Sequence, residues 1–209
     1  MRVRTPLLLG LSLIALLAAS DLGVSHLAAQ APAAPISIRF KAMLGDQPAS
    51  CTAAFGNVGT SHSTLHIQDL KFYVSGVRLV TAAGAEVPLQ LEQDGRWQQD
   101  DVSLLDFEDG TGTCANGSKD THAVITGTAP AGQYVGLRFT MGVPFEKNHR
   151  DPVTAGAPLN LSRMFWVWNA GYKFLRFDYT STGQPRGAFV HLGSGLGGRA
   201  GEPVQRDAP

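Results

Sequence analysis

The chain has 209 residues, and its 17 Lys and Arg residues balance 17 Asp and Glu residues. This length is typical of one domain with its own hydrophobic core, and the neutral charge excludes bulk electrostatic attraction to nucleic acid or to an anionic membrane. Glycine and proline are frequent, at 24 and 12 residues, whereas only 16% of the residues are charged. This composition favours many short strands joined by turns over a helical bundle.

The first 31 residues have the organisation of a secretory signal peptide. Arg2 and Arg4 form a basic start, the run PLLLGLSLIALLAAS is apolar, and Ala29–Ala31 provides the small residues of a cleavage site. An uncleaved membrane anchor is the alternative, but the apolar run is shorter than the roughly 20 residues that a membrane-spanning helix needs. We therefore predict export, with residues 32–209 as a single mature domain.

Strand patterns separated by turn residues follow one another along this mature part. ISIRFKAML (36–44) alternates, 64–82 is rich in β-branched and aromatic residues, and VPLQLE (87–92) precedes an Asp-Gly turn. VSLLDFEDG, from Val102, runs from a strand into a glycine-rich loop, and 122–145 has the pattern of two strands around APAG. Strands at this short spacing predict an all-β fold, an antiparallel β-sandwich in a single domain.

The last third of the chain alternates between loop and strand signals. Residues 146–163 form a long polar loop in which Asn160–Met164 has the pattern of a short helical turn. Residues 165–182 and 187–194 are predicted to be the last two strands. The tail from Gly195 is rich in glycine, proline and charge, so we expect it to be loose.

Cys51 and Cys114 are the two cysteines of the chain, and both lie in the part predicted to be exported. Because exported proteins fold in an oxidising compartment, we predict that they form one disulfide. A cysteine metal site is less favoured, since the sequence contains neither a Cys-x-x-Cys pair nor a Cys-x-x-Cys-His haem attachment motif.

The stretch MFWVWNAGYKFLRFD (164–178) concentrates large side chains. In a strand, Met164, Trp166 and Trp168 would share one face, and core packing is the plain interpretation of that face. A redox or metal site is the other interpretation, because thioether and imidazole are ligands that copper(I) accepts. A blue-copper centre does not fit, since it needs a cysteine ligand and both cysteines are assigned to the disulfide.

Two histidines are candidates for metal binding. His149 lies in the polar loop within NHRD, two residues before Asp151, and His191 lies near the end of the last strand within FVHLGS. A metal-binding histidine usually donates its second ring proton to a carboxylate or a carbonyl, so the nearby carboxylate is compatible with such a role. A lone histidine is nevertheless more often structural, and the pattern alone leaves both interpretations open.

Five blocks of the chain stand out for their length and order: LKFYVSGVRLV (70–80), VSLLDFEDGTGTCANGS (102–118), GLRFTMGVPFEKNHRDP (136–152), PLNLSRMFWVWNAGYKFLRFD (158–178) and HLGSG (191–195). Together they resemble the MbnP family, exported proteins also known as the metallo-mystery pair four-Cys motif family. The resemblance implies a periplasmic copper-binding protein that acts in copper homeostasis and is not an enzyme. It also implies a partner, a di-haem MbnH/MauG-like peroxidase, which oxidises a tryptophan to kynurenine and so enables copper binding.

Carried onto this chain, the resemblance implies that Trp166 or Trp168 is the modified tryptophan, with Trp97 as the less favoured choice. The family name reports four cysteines, with a second pair towards the C-terminus. This chain keeps the first pair but has no cysteine after residue 114. The missing pair removes a covalent constraint that would order the tail.

His149 and His191 match the family's His-Asp loop and His-Leu-Gly-Ser positions, so the resemblance makes them the expected copper ligands. Met164 is a weaker candidate, because core packing also explains it. Two other functions stay open: an exported β-sandwich adhesion or carbohydrate-binding module that uses exposed aromatic rings, and a copper oxidoreductase. The oxidoreductase ranks last, since no catalytic triad, paired-carboxylate site or cofactor fingerprint stands out in the sequence.

Overall fold

The structure is a computed structural model that describes residues 31–167 and 171–194. Residues 1–30 of the expected signal peptide, the tail from Gly195 and the candidate Trp168 lie outside the described residues. Within the part that is described, no helix is long and apolar enough to cross a membrane.

Strands dominate the described chain, which contains one short α-helix, α1 (Phe145–Asn148), and two 3-10 helices, Gly112–Cys114 and Ser162–Met164. The strands are β1 (Ala33–Arg39), β2 (Met43–Leu44), β3 (Gln47–Pro48), β4 (Phe55–Val58), β5 (Ser63–Thr81), β6 (Glu86–Pro88), β7 (Gln90–Leu91), β8 (Gln98–Gln99), β9 (Val102–Asp106), β10 (Val124–Pro130), β11 (Tyr134–Met141), β12 (Phe165–Trp166), β13 (Gly171–Ser181) and β14 (Gln184–Gly193).

The long strand β5 organises the larger sheet, and its extent confirms the prediction made from its β-branched and aromatic residues. On one edge, β13 pairs with Leu65–Phe72 and β11 continues along Val74–Thr81. On the other edge, β9 pairs with Lys71–Ser75. The strand β14 extends the sheet beyond β13, and every one of these pairings is antiparallel.

A smaller sheet of β1, β10 and β7 covers one face of the larger sheet. Val74 and Leu105 of the larger sheet pack against Leu91, Ile125 and Ala129 of the smaller one in a single buried cluster. Two antiparallel sheets with an apolar layer between them form the predicted all-β sandwich.

The opposite face of the larger sheet is covered by the loop that follows β11. Tyr73 and Leu104 are the sequence neighbours of Val74 and Leu105, which belong to the first cluster. They pack on the opposite face with Leu159, Met164 and Tyr172. Because successive side chains of a strand point to opposite faces, β5 and β9 are buried on both sides. The predicted helical turn in this loop is confirmed by the 3-10 helix Ser162–Met164.

The prediction of one continuous strand over 165–182 is wrong. The chain reverses within it, so that Phe165 pairs with Tyr172 and Trp166 pairs with Gly171. Met164 lies in the preceding 3-10 helix, and Phe165, not Trp166, packs on the same core cluster as Met164. Alternating apolar residues report strand faces, but the alternation continues through a tight reversal and therefore does not reveal it.

A buried ammonium group lies where β9, β5 and β13 meet. Lys71 Nζ is 2.8 Å from Glu108 Oε1, 3.1 Å from Asp106 Oδ2 and 3.4 Å from Asp69 Oδ1. Burial lowers the pKa of Lys71, but the attraction of Asp106 and Asp69 outweighs burial and leaves that pKa raised. Lys71 therefore stays charged and links carboxylates on two strands and the loop after β9.

We predict that Asp106 makes the protein more stable as the pH falls towards 4. Burial, opposed by Lys71, raises the pKa of Asp106 from an ordinary 3.8 to about 6. The folded state therefore binds this proton before the unfolded chain does, and stability from this group is lost as the pH rises from about 4 to about 6. Relative to Asp106→Asn, the wild type should gain about 2–3 kcal/mol in unfolding free energy between about pH 7 and about pH 4.

Urea denaturation of both proteins at several pH values measures this difference, with Asp120→Asn as the control because Asp120 is an exposed carboxylate. Parallel stability curves for the wild type and Asp106→Asn would contradict the prediction.

The predicted disulfide is confirmed, since Cys51 and Cys114 are bonded across a sequence separation of 63 residues. We predict that replacing both by Ala lowers the free energy of unfolding by about 4 kcal/mol, because the open chain regains loop-closure entropy when unfolded. Chemical denaturation of the double variant checks this, and reduced wild type serves as the control. A double variant as stable as the oxidised wild type would refute it.

Candidate functional site

A cleft opens beside the outer strand β14, where β12 and β13 approach it. Trp166, Lys173, Phe189, Val190 and His191 line this cleft. The outer position of β14 leaves Phe189 72% exposed, whereas His191 and Trp166 are half-buried. The cleft therefore brings together two of the residues that the sequence singled out.

Alternate residues of β14 form an aromatic row along the cleft. Phe189 and His191 lie on the same face of the strand, and their stacked ring centroids are 4.8 Å apart. The His191 ring is in turn 6.4 Å from the Trp166 ring, at an interplanar angle of 50°. Lys173 Nζ lies 6.0 Å from the centroid of the Trp166 ring, within the range of a cation–π contact.

Gly193 makes room for the indole at the end of this row. It is the next residue after His191 on the same face, and a Cβ atom there would lie 2.4 Å from Trp166 Cζ3 and 2.7 Å from the Tyr172 carbonyl oxygen. No side chain fits at these distances. The absence of a side chain at Gly193 therefore allows Trp166 to lie beside His191.

Asp178 holds the other side of the His191 ring. Its Oδ1 lies 2.6 Å from His191 Nε2, and Arg176 donates to its Oδ2 from Nε at 2.9 Å and from Nη2 at 2.5 Å. Burial raises the pKa of Asp178, but the hydrogen bonds from Arg176 and His191 outweigh burial and leave that pKa lowered. Asp178 is therefore a carboxylate, and Nε2 of His191 is the donor in their hydrogen bond.

Arg176 connects this arrangement to the buried ammonium of Lys71. In the sheet register, Arg176 is the cross-strand partner of Lys71 on one side and of His191 on the other. Its Nε also lies 3.2 Å from Asp69 Oδ2, and Asp69 contacts Lys71. Positively and negatively charged side chains therefore alternate across β5, β13 and β14, from Lys71 in the core to the candidate ligand His191.

His149 approaches the same region from the loop after α1. A Cβ atom at Gly171 would lie 3.4 Å from its ring, and Gly171 is the cross-strand partner of Trp166. The buried Asn148 fixes this loop, because its Oδ1 accepts from the Tyr172 amide at 2.9 Å and its Nδ2 donates to Ser194 Oγ at 2.5 Å. The same Nδ2 lies 3.2 Å from His149 Nε2.

The two candidate histidines therefore lie on either side of the β12–β13 reversal, His191 beside Trp166 and His149 beside Gly171. In the described ranges, no group of three or more His, Cys, Asp or Glu side chains is placed to hold a metal ion. Two imidazoles are suitable ligands for copper, but a complete site would need a further donor.

Met164 and Trp97 line a different cavity, of about 340 Å³. Met164 is fully buried in the core cluster around Tyr172. Trp97 stacks on His122 with ring centroids 5.3 Å apart, and the Arg96 guanidinium lies 4.8 Å from its ring centroid. The structure therefore does not bring these two candidates into the cleft with His191.

Sequence reasoning missed three residues that shape the site: Asn148, Asp178 and Gly193. Each lies inside or beside a conspicuous sequence block, and Asn148 directly precedes His149. Their roles depend on contacts across 46 residues for Asn148 and 13 for Asp178. Local spacing contains no signal for such contacts.

The chain is similar to known proteins in sequence and in fold. A family model described as MbnP matches residues 33–203. Among solved structures, the chain is similar to MbnP from Methylosinus trichosporium, with 28% sequence identity and a TM-score of 0.65. The match covers 77% of this chain and 62% of that chain, so this chain spans less than two thirds of that protein. A comparison with curated proteins finds no match.

We predict that Gly193→Ala displaces the indole of Trp166, because the added methyl group would overlap Cζ3. Ring-current shifts of the His191 and Phe189 protons in NMR spectra should change as the Trp166 ring moves. Gly183→Ala, in the β13–β14 turn, is the matched control, since its Cβ would meet only Ser63 Oγ at 3.7 Å. Unchanged His191 and Phe189 shifts in Gly193→Ala would contradict the packing described here.

Proposed function

The chain belongs to the MbnP family, as its sequence blocks predicted, and from this membership and the cleft geometry we propose a periplasmic copper-binding protein whose site is completed by oxidation of Trp166 to kynurenine. The observation that carries the proposal is the position of the Trp166 ring, 6.4 Å from that of His191. A di-haem MbnH/MauG-like peroxidase is the proposed partner, which would carry out this oxidation with peroxide as the oxidant, and copper homeostasis is the proposed role.

Oxidation of the indole would supply the further donor that the two imidazoles need for a complete copper site. Oxidative cleavage of the C2–C3 bond places one oxygen atom on each of these two carbons. The oxygen atoms come from two molecules of peroxide, each of which is reduced to water. Hydrolysis then releases C2 as formate and leaves a ketone and an aryl amine on the side chain. An apolar ring beside His191 would thereby gain donor atoms able to bind copper or to hold a copper-bound ligand in place.

His149 and His191 are the proposed copper ligands, because they approach the Trp166 reversal from the loop and from β14. Neutral imidazole is a ligand that copper(I) and copper(II) both accept, so the donor set fits this metal. Met164 remains a weaker prediction, since its side chain is fully buried and lines the other cavity.

Trp166 is favoured over the other tryptophans by its surroundings. It lies in an open cleft beside a candidate ligand, where a partner protein can approach it. Trp97 is stacked on His122 in the other cavity, away from the two candidate ligands. Oxidation of Trp166 would also leave the core cluster intact, because Phe165 and Met164 make the core contacts of this segment.

A binding protein explains the cleft better than the two alternatives. Asp178, the carboxylate that contacts His191, is also engaged by Arg176, so it is poorly placed to act as a general base. Trp97 and Trp166 are both half-buried, so neither forms the exposed aromatic platform that carbohydrate-binding modules use. We therefore propose binding, and neither catalysis nor adhesion.

We predict that the chain produced together with its di-haem partner carries kynurenine at position 166 and binds copper(I), whereas the chain produced alone does neither. Peptide masses of residues 164–173 and competition titrations with a chromophoric copper(I) chelator measure the two properties. Trp166→Phe should show no kynurenine and lose copper binding at the site. Modification at position 168, or an unmodified Trp166 with normal copper binding, would overturn the proposal.

Trp168→Phe and Trp97→Phe are the matched controls, and both should be modified and bind copper as the wild type does. For the ligands, His191→Ala and His149→Ala should each weaken copper binding in the modified protein. His66→Ala is the corresponding control, because His66 lies on β5, where its cross-strand partner is Thr180 and not a residue that lines the cleft.

A further inference from the structure

Three neighbours define the surroundings of the His191 ring. Phe189 stacks on it at 4.8 Å, Trp166 lies 6.4 Å away, and Asp178 accepts a hydrogen bond from Nε2 at 2.6 Å. The remaining nitrogen, Nδ1, has no hydrogen-bond partner within residues 31–167 and 171–194. The two ring nitrogens therefore stand in different environments before any metal is present.

The acceptor Asp178 is itself held in place. Arg176 donates two hydrogen bonds to Oδ2, so the carboxylate presents Oδ1 to His191. Arg176 is fixed on its other side by Asp69, at 3.2 Å, and Asp69 contacts Lys71 at 3.4 Å. Rotation of the carboxylate away from His191 would break contacts that reach the buried core.

We infer that Asp178 is a positioning residue that keeps the proton of His191 on Nε2 and leaves Nδ1 as the nitrogen that binds metal. The copper part of this inference rests on the proposed function, whereas the assignment of the nitrogens is a property of the protein alone. In a neutral imidazole, one nitrogen carries the proton and the other offers a lone pair. A carboxylate beside one nitrogen fixes the proton on that nitrogen. The same hydrogen bond makes the opposite nitrogen a better ligand.

The substitution Asp178→Asn gives the sharpest test, because it changes the charge and the donor pattern while keeping the shape. Arg176 requires an acceptor, so the amide oxygen of the new side chain should face Arg176 and its NH2 group should face His191. That NH2 group can only donate, so Nε2 must become the acceptor and the proton must move to Nδ1. A carboxylate-to-amide exchange has the same effect on the histidine of a serine protease triad.

Asp178→Ala removes the acceptor without imposing the opposite tautomer, so Nδ1 stays available for part of the time. We therefore expect a rank order in copper affinity. In the kynurenine-containing protein, Asp178→Ala should weaken copper(I) binding about 10- to 100-fold, the usual effect of losing such a partner. Asp178→Asn should weaken it more than Asp178→Ala does. A merely structural role predicts the reverse, because Asn preserves the shape and Ala does not.

The metal-free protein provides an independent readout. The ¹⁵N chemical shifts of the His191 ring, recorded at about pH 8, should show Nε2–H in the wild type and Nδ1–H in Asp178→Asn. Asp120→Asn is the matched control, since Asp120 is an exposed carboxylate paired with Arg96, and it should change neither the tautomer nor the affinity. Amide ¹H–¹⁵N spectra establish that each variant is folded.

The two readouts separate the two proposals. A wild type with Nδ1–H, or an Asp178→Asn variant that keeps Nε2–H and full copper affinity, would overturn the inference. Asp178→Ala binding more weakly than Asp178→Asn would also overturn it. If the tautomers are as expected but the modified wild type binds no copper, the positioning role stands and the proposed copper function fails.

Discussion

The buried ammonium of Lys71 is the interaction on which the rest of the arrangement depends. A charge in the interior needs close partners, and Lys71 has three carboxylates within 3.4 Å. In the register of the sheet it pairs with Asp106 of β9 and with Arg176 of β13. A shift of either strand by one residue would turn these charges to the opposite face, so the cluster helps to fix both registers.

Because the register is fixed, the buried charges also determine where side chains lie at the edge of the sheet. Arg176 lies between Lys71 and His191 in this register. It donates a hydrogen bond to Asp178, and the other oxygen of that carboxylate faces the imidazole of His191. Two residues after His191 on the same face, Gly193 leaves the space that the indole of Trp166 occupies. Burial and ion pairing therefore define the geometry of this cleft.

The chain reversal between Trp166 and Gly171 places neighbouring aromatic residues in two different environments. Phe165 packs with Met164 in the core, while Trp166 faces the cleft beside His191. In the proposed function this division matters, because oxidising an indole of the core cluster would place polar atoms among apolar side chains. An indole at the edge of the sheet can be altered without that cost and remains within reach of a partner protein.

The sequence by itself determined the fold class, the long strand β5 and the disulfide, because alternation, composition and the presence of two cysteines are properties of the chain that need no partner. Its blocks also identified the family, and they included His149, Trp166 and His191. The sequence did not reveal the reversal before Gly171 or the role of Asp178. Alternation states which face a side chain occupies, but it does not state which strand lies beside it. Only the tertiary structure decided that, because the register of neighbouring strands is set by buried contacts between residues far apart in the chain.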